Sequence, residues 1–173
     1  MISLIGYRGT GKTTVAEHLA KRLECQWADA DIVLEKQAGR TIADIFAKDG
    51  EAAFRDLESK VLDELVAAHA QDDFVLATGG GVILREENRQ ALKKGGAVIW
   101  LTATPETIFE RINTDPTTGE RRPNLTTKGG LAEIKEVLAA RESLYRETSG
   151  HVIDTIDKTP EKIADEALRW IKA

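Results

Sequence analysis

A stretch near the N-terminus, Gly6-Tyr7-Arg8-Gly9-Thr10-Gly11-Lys12-Thr13, fits G-x-x-x-x-G-K-[ST] and could bind a phosphate chain with its metal. Gly6, Gly9 and Gly11 permit a tight turn whose successive N–H groups point into one concavity. Lys12 would reach the β- and γ-phosphates of a nucleotide, and the Thr13 hydroxyl would ligate Mg²⁺. Gly9, Thr10, Gly11 and Thr14 complete the expected ATP cradle.

Four other places carry polar groups that composition alone does not explain. Asp29 and Asp31 stand two apart, so in extended backbone both carboxylates leave one face. Beside nucleotide and metal, one could serve the metal shell and the other a substrate hydroxyl; alternatively both cap a turn. Gly79, Gly80 and Gly81 follow an apolar run and have no packing value, which suits close approach of a ligand to backbone or a merely flexible turn. Arg141 falls on the helical stripe of Ile134, Leu138 and Tyr145. An inward arginine is costly unless a carboxylate or phosphate meets it, and that partner is either a ligand or an acidic neighbour. Arg55 has Glu51 and Glu58 one helical turn to either side and could simply pair with them.

These residues need elements to position them. Ile2–Ile5 reads as a buried strand, and Val15, Leu19 and Leu23 recur at helical spacing behind the glycine-rich turn. A short strand Gln26–Asp29 follows. Thr41 is the expected N-cap of a short helix Ile42–Lys48 ended by Gly50, and a longer helix Glu51–His69 carries the inward stripe Phe54, Leu57, Val61 and Leu65. Phe74–Ala77 is a strand that empties into the three glycines. Then come a polar helix Glu86–Lys94 stopped by Gly95-Gly96, a strand Ala97–Leu101, and a helix opened by Thr104-Pro105 that fades near Asn113. Leu131–Glu147 is helical, Val152–Asp154 is a last strand, and Thr159-Pro160 opens a C-terminal helix. Alternating strands and helices predict βαβ units in a parallel sheet covered on both faces, with ligands beyond the carboxyl ends of the strands. The phosphate loop, Asp29–Asp31 and Thr78–Gly81 each follow a strand, so they should meet at one edge.

Residues 113–130 show no apolar period, which suggests a lid, with a disordered surface loop as the alternative. Arg121, Arg122 and Lys128 against Asp115 and Glu120 leave it net positive, a composition suited to closing over a transferring phosphate. None of His18, His69 and His151 receives a role.

The chain has 173 residues, 42% hydrophobic and 31% charged, which suits one domain with a full core. A net charge of −5 argues against nucleic-acid and anionic-membrane partners, so any bound anion needs a local cationic cluster. The single Cys25 excludes an intramolecular disulfide and reads as a small buried hydrophobe. The absence of a leader pattern or long apolar run predicts a cytoplasmic protein, and a monomer is the expected state.

The ordered set of motifs resembles shikimate kinase over nearly the whole length. The matching stretches are G-Y-R-G-T-G-K-T-T at Gly6–Thr14, D-A-D-I-V-L-E at Asp29–Glu35, G-E-A-A-F-R-D-L-E at Gly50–Glu58 and T-G-G-G at Thr78–Gly81, followed by R-R-P-N-L at Arg121–Leu125, R-E-S-L-Y at Arg141–Tyr145 and I-D-T at Ile153–Thr155. The resemblance implies an α/β P-loop NTPase fold of the nucleoside-monophosphate-kinase type, with a five-stranded parallel sheet flanked by helices, a substrate-binding region near 31–61 and a mobile lid near 113–130. It implies transfer of the γ-phosphoryl of ATP to the 3-hydroxyl of shikimate, in aromatic amino-acid biosynthesis. By motif, Asp31 contacts shikimate hydroxyls and is the candidate base, while Arg55 and Arg141 bind the carboxylate in a pocket lined by Gly79, Gly80 and Gly81. Asp29 supports Mg²⁺ beside Thr13, Arg122 faces the phosphates from the lid, and the region Asp157–Pro160 borders adenine. Two departures lie in the lid, where Asn124 replaces a leucine and Thr117-Thr118-Gly119 is extra.

Rival readings remain. A kinase of gluconate or of a nucleoside monophosphate would share loop and lid but leaves Arg55, Arg141 and the three glycines without a common purpose. A GTPase-type switch would want an N-K-x-D segment, which is absent. A catalytically silent binding module is the reading of another class, and turnover separates it from a kinase.

Overall fold

In the computed structural model, residues 1–114 and 129–173 are described, so the lid residues Arg121, Arg122, Asn124 and Lys128 lie outside the described residues. Five strands form one parallel sheet in the order β2-β3-β1-β4-β5: β1 Ile2–Ile5, β2 Gln26–Asp29, β3 Phe74–Ala77, β4 Ala97–Thr102 and β5 His151–Asp154. Both β1 and β3 are buried at every residue, whereas the edge strands β2 and β5 are partly open. Continuous apolar runs go to the centre because both of their faces are covered.

Helices α1 Lys12–Leu23 and α7 Pro160–Ile171 cover one face, packing Val15, Leu19, Ile163 and Ala167 against Leu4, Val75 and Ile99. On the other face, α3 Ile42–His69, α4 Glu86–Gly95 and α6 Gly130–Thr148 bring Leu62, Leu92 and Tyr145 onto Ile5, Leu76 and Trp100. Each large side chain so buried contributes about 1.5–3 kcal/mol. Helix α5 Pro105–Thr114 packs Ile108 against Tyr7 and Ile134 beside the phosphate loop.

Two local details go beyond the sequence reading, and one bears it out. A helix α2, Ala30–Ala38, begins directly after β2; its contiguous Ile32-Val33-Leu34 shows no helical period in sequence. The expected break at Gly50 is present as a kink inside α3, with φ 84° and ψ 174°. A short 3₁₀ turn, Val82–Leu84, follows the three glycines. Cys25 is half-buried rather than fully buried, because it lies just past the end of α1 at the start of an edge strand. Among the described residues, no helix is long and apolar enough to cross a membrane.

Because β1 lies between β3 and β4, the chain diverges to the two sides of it at the carboxyl edge of the sheet, where ligands bind in such folds. The register aligns Leu4 with Ala77 and Asp29 with Ala77, so the three loops after β1, β2 and β3 emerge level with one another. Thr78 fixes this arrangement by donating to the Leu4 carbonyl from both its N–H (3.2 Å) and its hydroxyl (2.9 Å).

Candidate active site

Helix α1 starts on Gly11, in the left-handed region at φ 88°, with no side-chain cap and no acidic residue in the first turn. By contrast, α2, α3 and α7 have their first amides bonded by Asp29, Thr41 and Thr159. The first N–H groups of α1 therefore keep their donors and the positive end of the helix dipole for an anion. Thr10 braces the loop by donating its hydroxyl to the Tyr7 carbonyl at 2.8 Å. The Lys12 ammonium, buried at 8% exposure, donates to the Gly6 and Tyr7 carbonyls at 2.8 Å each. It thus lies folded along the loop that is expected to hold phosphate.

Asp29 and Asp31 do not form an extended pair. Asp29 is the last residue of β2 and caps α2, accepting from the Asp31 N–H through Oδ1 at 2.9 Å, while Asp31 sits in the first helical turn. The turn-capping alternative holds for Asp29, because the helix starts at once and its amide needs an acceptor. The other oxygen of Asp29, Oδ2, accepts the Thr13 hydroxyl at 2.6 Å. A hydroxyl and a carboxylate in contact beside a phosphate loop are hard oxygen donors of the kind Mg²⁺ takes. Among the described residues there is no group of three or more His, Cys, Asp or Glu that could hold a metal. A cation at Thr13 and Asp29 would complete its shell with phosphate and water, as Mg²⁺ commonly does.

Beside the loop lies a cleft, open to solvent, lined by Tyr7, Arg8, Ile42, Phe46, Phe54, Arg55, Glu58, Gly80, Gly81 and Arg141. Arg141 is buried to 9% exposure, and its Nη1 donates to the Gly80 carbonyl at 3.2 Å. The Tyr145 hydroxyl, one turn further along α6, donates to the same oxygen. Burial pushes the Tyr145 phenol up to about 12, against the pull of Arg141, so it stays a donor. Arg55 is buried too, bonding Glu58 Oε2 through Nη1 at 2.7 Å and Glu51 Oε1 through Nη2 at 3.1 Å. The pairing alternative for Arg55 is therefore correct, and it coexists with a place on the cleft wall.

Close approach explains two of the glycines. A Cβ on Gly81 would lie 2.4–2.7 Å from the Arg55 guanidinium. One on Gly79 would meet Glu58 Oε1 at 2.7 Å and Asp31 Oδ1 at 2.9 Å. Gly79 is thus the gap through which the Asp31 and Glu58 carboxylates face each other. Burial pushes the Glu58 carboxyl up against the opposing charge of Arg55, and its Oε1 is buried with no hydrogen-bond partner.

The structure brings the phosphate loop, Asp29, Asp31, Arg55, Gly79–Gly81 and Arg141 to one edge. Sequence reasoning missed Glu58 as a site residue, and also Tyr7, Arg8, Tyr145 and Glu133. Arg8 bonds the fully buried Glu133 at 2.9 Å. Tyr7 and Arg8 occupy positions that the loop pattern leaves free, so no motif could flag them. Glu133 carried a usable signal, since it sits four residues before the buried Val137 on the inner side of α6. The histidines are structural: His18 pairs with Glu161 at 3.4 Å, His69 stacks on Phe74, and His151 stacks on Trp170.

Comparison with known proteins agrees with this fold. A solved shikimate kinase from Acinetobacter baumannii, in complex with shikimate, superposes with a TM-score of 0.91 at 36% identity, covering 99% of this chain and 92% of that one. Shikimate kinase 2 of Enterobacter sp. is 45% identical over 171 residues, 99% of this chain and 95% of the relative. A gluconokinase from Sinorhizobium meliloti, at 16% identity and a TM-score of 0.58, shares the fold alone. A family model for shikimate kinase matches residues 8–172, and the chain belongs to the shikimate kinase family.

Proposed function

We propose that the chain transfers the γ-phosphoryl group of ATP to the 3-hydroxyl of shikimate, giving shikimate 3-phosphate and ADP. The observation that carries this reading is the cleft beside the phosphate loop, with Arg55 and Arg141 converging on Gly80–Gly81. A small carboxylate would find two guanidinium groups there on an otherwise acidic protein. Ile42, Phe46 and Phe54 offer an apolar wall to the acceptor ring.

In this reading the loop amides and Lys12 hold the phosphates, and the acceptor lies across the cleft from them. As the acceptor oxygen bonds to the γ-phosphorus, the bond from that phosphorus to the bridging oxygen breaks and ADP leaves. The hydroxyl proton passes to Asp31, which Gly79 leaves room to approach. Thr13 and Asp29 would hold Mg²⁺, which when bound supplies charge neutralisation to the phosphate oxygens. Arg122 is assigned to the phosphates on the resemblance of its motif. Most of the barrier reduction comes from positioning and fixed charge rather than covalent chemistry. A monomer in the cytoplasm, where ATP is at hand, is part of the same proposal.

The test is product identity. Incubation with Mg-ATP and shikimate is expected to yield a phosphate monoester on the 3-oxygen, read by phosphorus–proton NMR correlation. A product phosphorylated elsewhere, or free phosphate with unmodified shikimate, would reject the assignment.

A further inference from the structure

Arg8 and Glu133 are 125 residues apart in sequence and form a 2.9 Å ion pair, with side-chain exposures of 13% and 0%. Arg8 belongs to the phosphate loop, and its guanidinium meets Glu133 in the first turn of α6. Lys12, in the same loop, turns instead onto the loop carbonyls. Arg8 also lines the acceptor cleft with Arg55 and Arg141. The buried Tyr7 phenol feels the charges of Arg8, Glu133 and Arg141 together, so these groups share one neighbourhood.

A fully buried carboxylate is a costly brace between two elements, since apolar packing joins them without desolvating a charge. Its presence is explained if the guanidinium it orients has a ligand to meet.

We propose that Arg8 binds an oxygen of the acceptor from the α6 wall of the cleft, and that Glu133 is the positioning residue that holds it there. The inference rests on the shikimate kinase reading of the same site. It makes the phosphate loop part of the acceptor pocket, so one segment contacts both substrates. Arg55 grips the acceptor from α3, and Arg8 and Arg141 grip it from the side of α6.

The experiment is steady-state kinetics on wild type, Arg8→Met, Glu133→Gln and the double variant, with thermal melting of each. Arg8→Met is expected to raise KM for shikimate roughly 10–100-fold, the worth of one charge-assisted hydrogen bond, with KM for ATP near wild type. Glu133→Gln should raise the same constant less. The double variant should be no worse than Arg8→Met alone, because Glu133 acts through Arg8. A rise in KM for ATP with shikimate KM unchanged would overturn the proposal, as would a Glu133→Gln variant that only melts earlier. Should Glu133→Gln fail to fold, Arg8→Met alone decides by the same split between the two substrates. Wild type without shikimate turnover rejects the functional reading itself; wild-type turnover with an unaffected Arg8→Met rejects only this inference.

Discussion

The two ends of the cleft are built by opposite means. The phosphate end is one contiguous segment, Gly6–Thr14, working through backbone amides at the uncapped start of α1. The acceptor end is assembled from α3, α6, the loop after β3, and Tyr7 and Arg8 of the phosphate loop, with Asp31 of α2 beside Gly79. A backbone cradle recognises any phosphate chain, and so it appears in many NTP-binding proteins. In the proposed function, convergent arginines, a facing carboxylate and glycines that make room for them would recognise one acceptor class. Generic binding comes from local chain, and specificity comes from tertiary structure.

That contrast can be broken by substitution. The largest expected effect is at Asp31, where Asp31→Asn should lower kcat by about 10²–10⁴, the usual worth of a positioned base. Steady-state turnover checks it, and near-normal kcat would remove Asp31 from the chemistry. Arg141→Gln should leave KM for ATP alone and raise KM for shikimate roughly 10–100-fold through loss of a charged donor. Equal damage to both constants would mean that the two ends are not separable.

Gly81→Ala sharpens the point, because the new methyl must displace the Arg55 guanidinium. Arg55 can shift at its flexible end, so a rise in shikimate KM of about tenfold is expected, below that for losing a charged donor outright. Unchanged affinity by isothermal titration would show that Arg55 does not need its present place.

The smallest effect belongs to Tyr145→Phe, which removes one hydrogen bond to the Gly80 carbonyl while Arg141 keeps that oxygen satisfied. A loss of about 1 kcal/mol at pH 8 is expected from denaturant midpoints. The phenol ionises near 10 when unfolded and near 12 when folded, so the folded state holds its proton more tightly. Its contribution is therefore full below pH 10 and declines as pH rises from 10 to 12. The gap between wild type and Tyr145→Phe should narrow over that window; a gap that stays constant would contradict the buried-donor account.

The same contrast explains what the sequence made legible. The phosphate loop could be read because its strand, turn and helix are adjacent, and Val15 and Leu19 mark the helix by their spacing. Arg141 could be read because a charge on an apolar stripe is an anomaly visible without any fold. Asp31 was misread as extended because Asp-Ala-Asp is both a strand end and an N-cap signal, and only the immediate start of α2 at Ala30 decides between them. Glu58 looked like a routine helical partner of Arg55; its role depends on Gly79 and Asp31 arriving opposite it. The strand order, and with it the meeting of the three loops, depends on pairings between segments more than 40 residues apart, such as β2 with β3.

The most direct test of the central claim is the rate of ADP release from Mg-ATP with shikimate, run beside gluconate, AMP and no acceptor. The account predicts shikimate-dependent turnover of at least about 1 s⁻¹, the low end for kinases, with the other acceptors at the blank rate. Turnover with gluconate or AMP and none with shikimate would keep the fold and overturn the reading of the acceptor end.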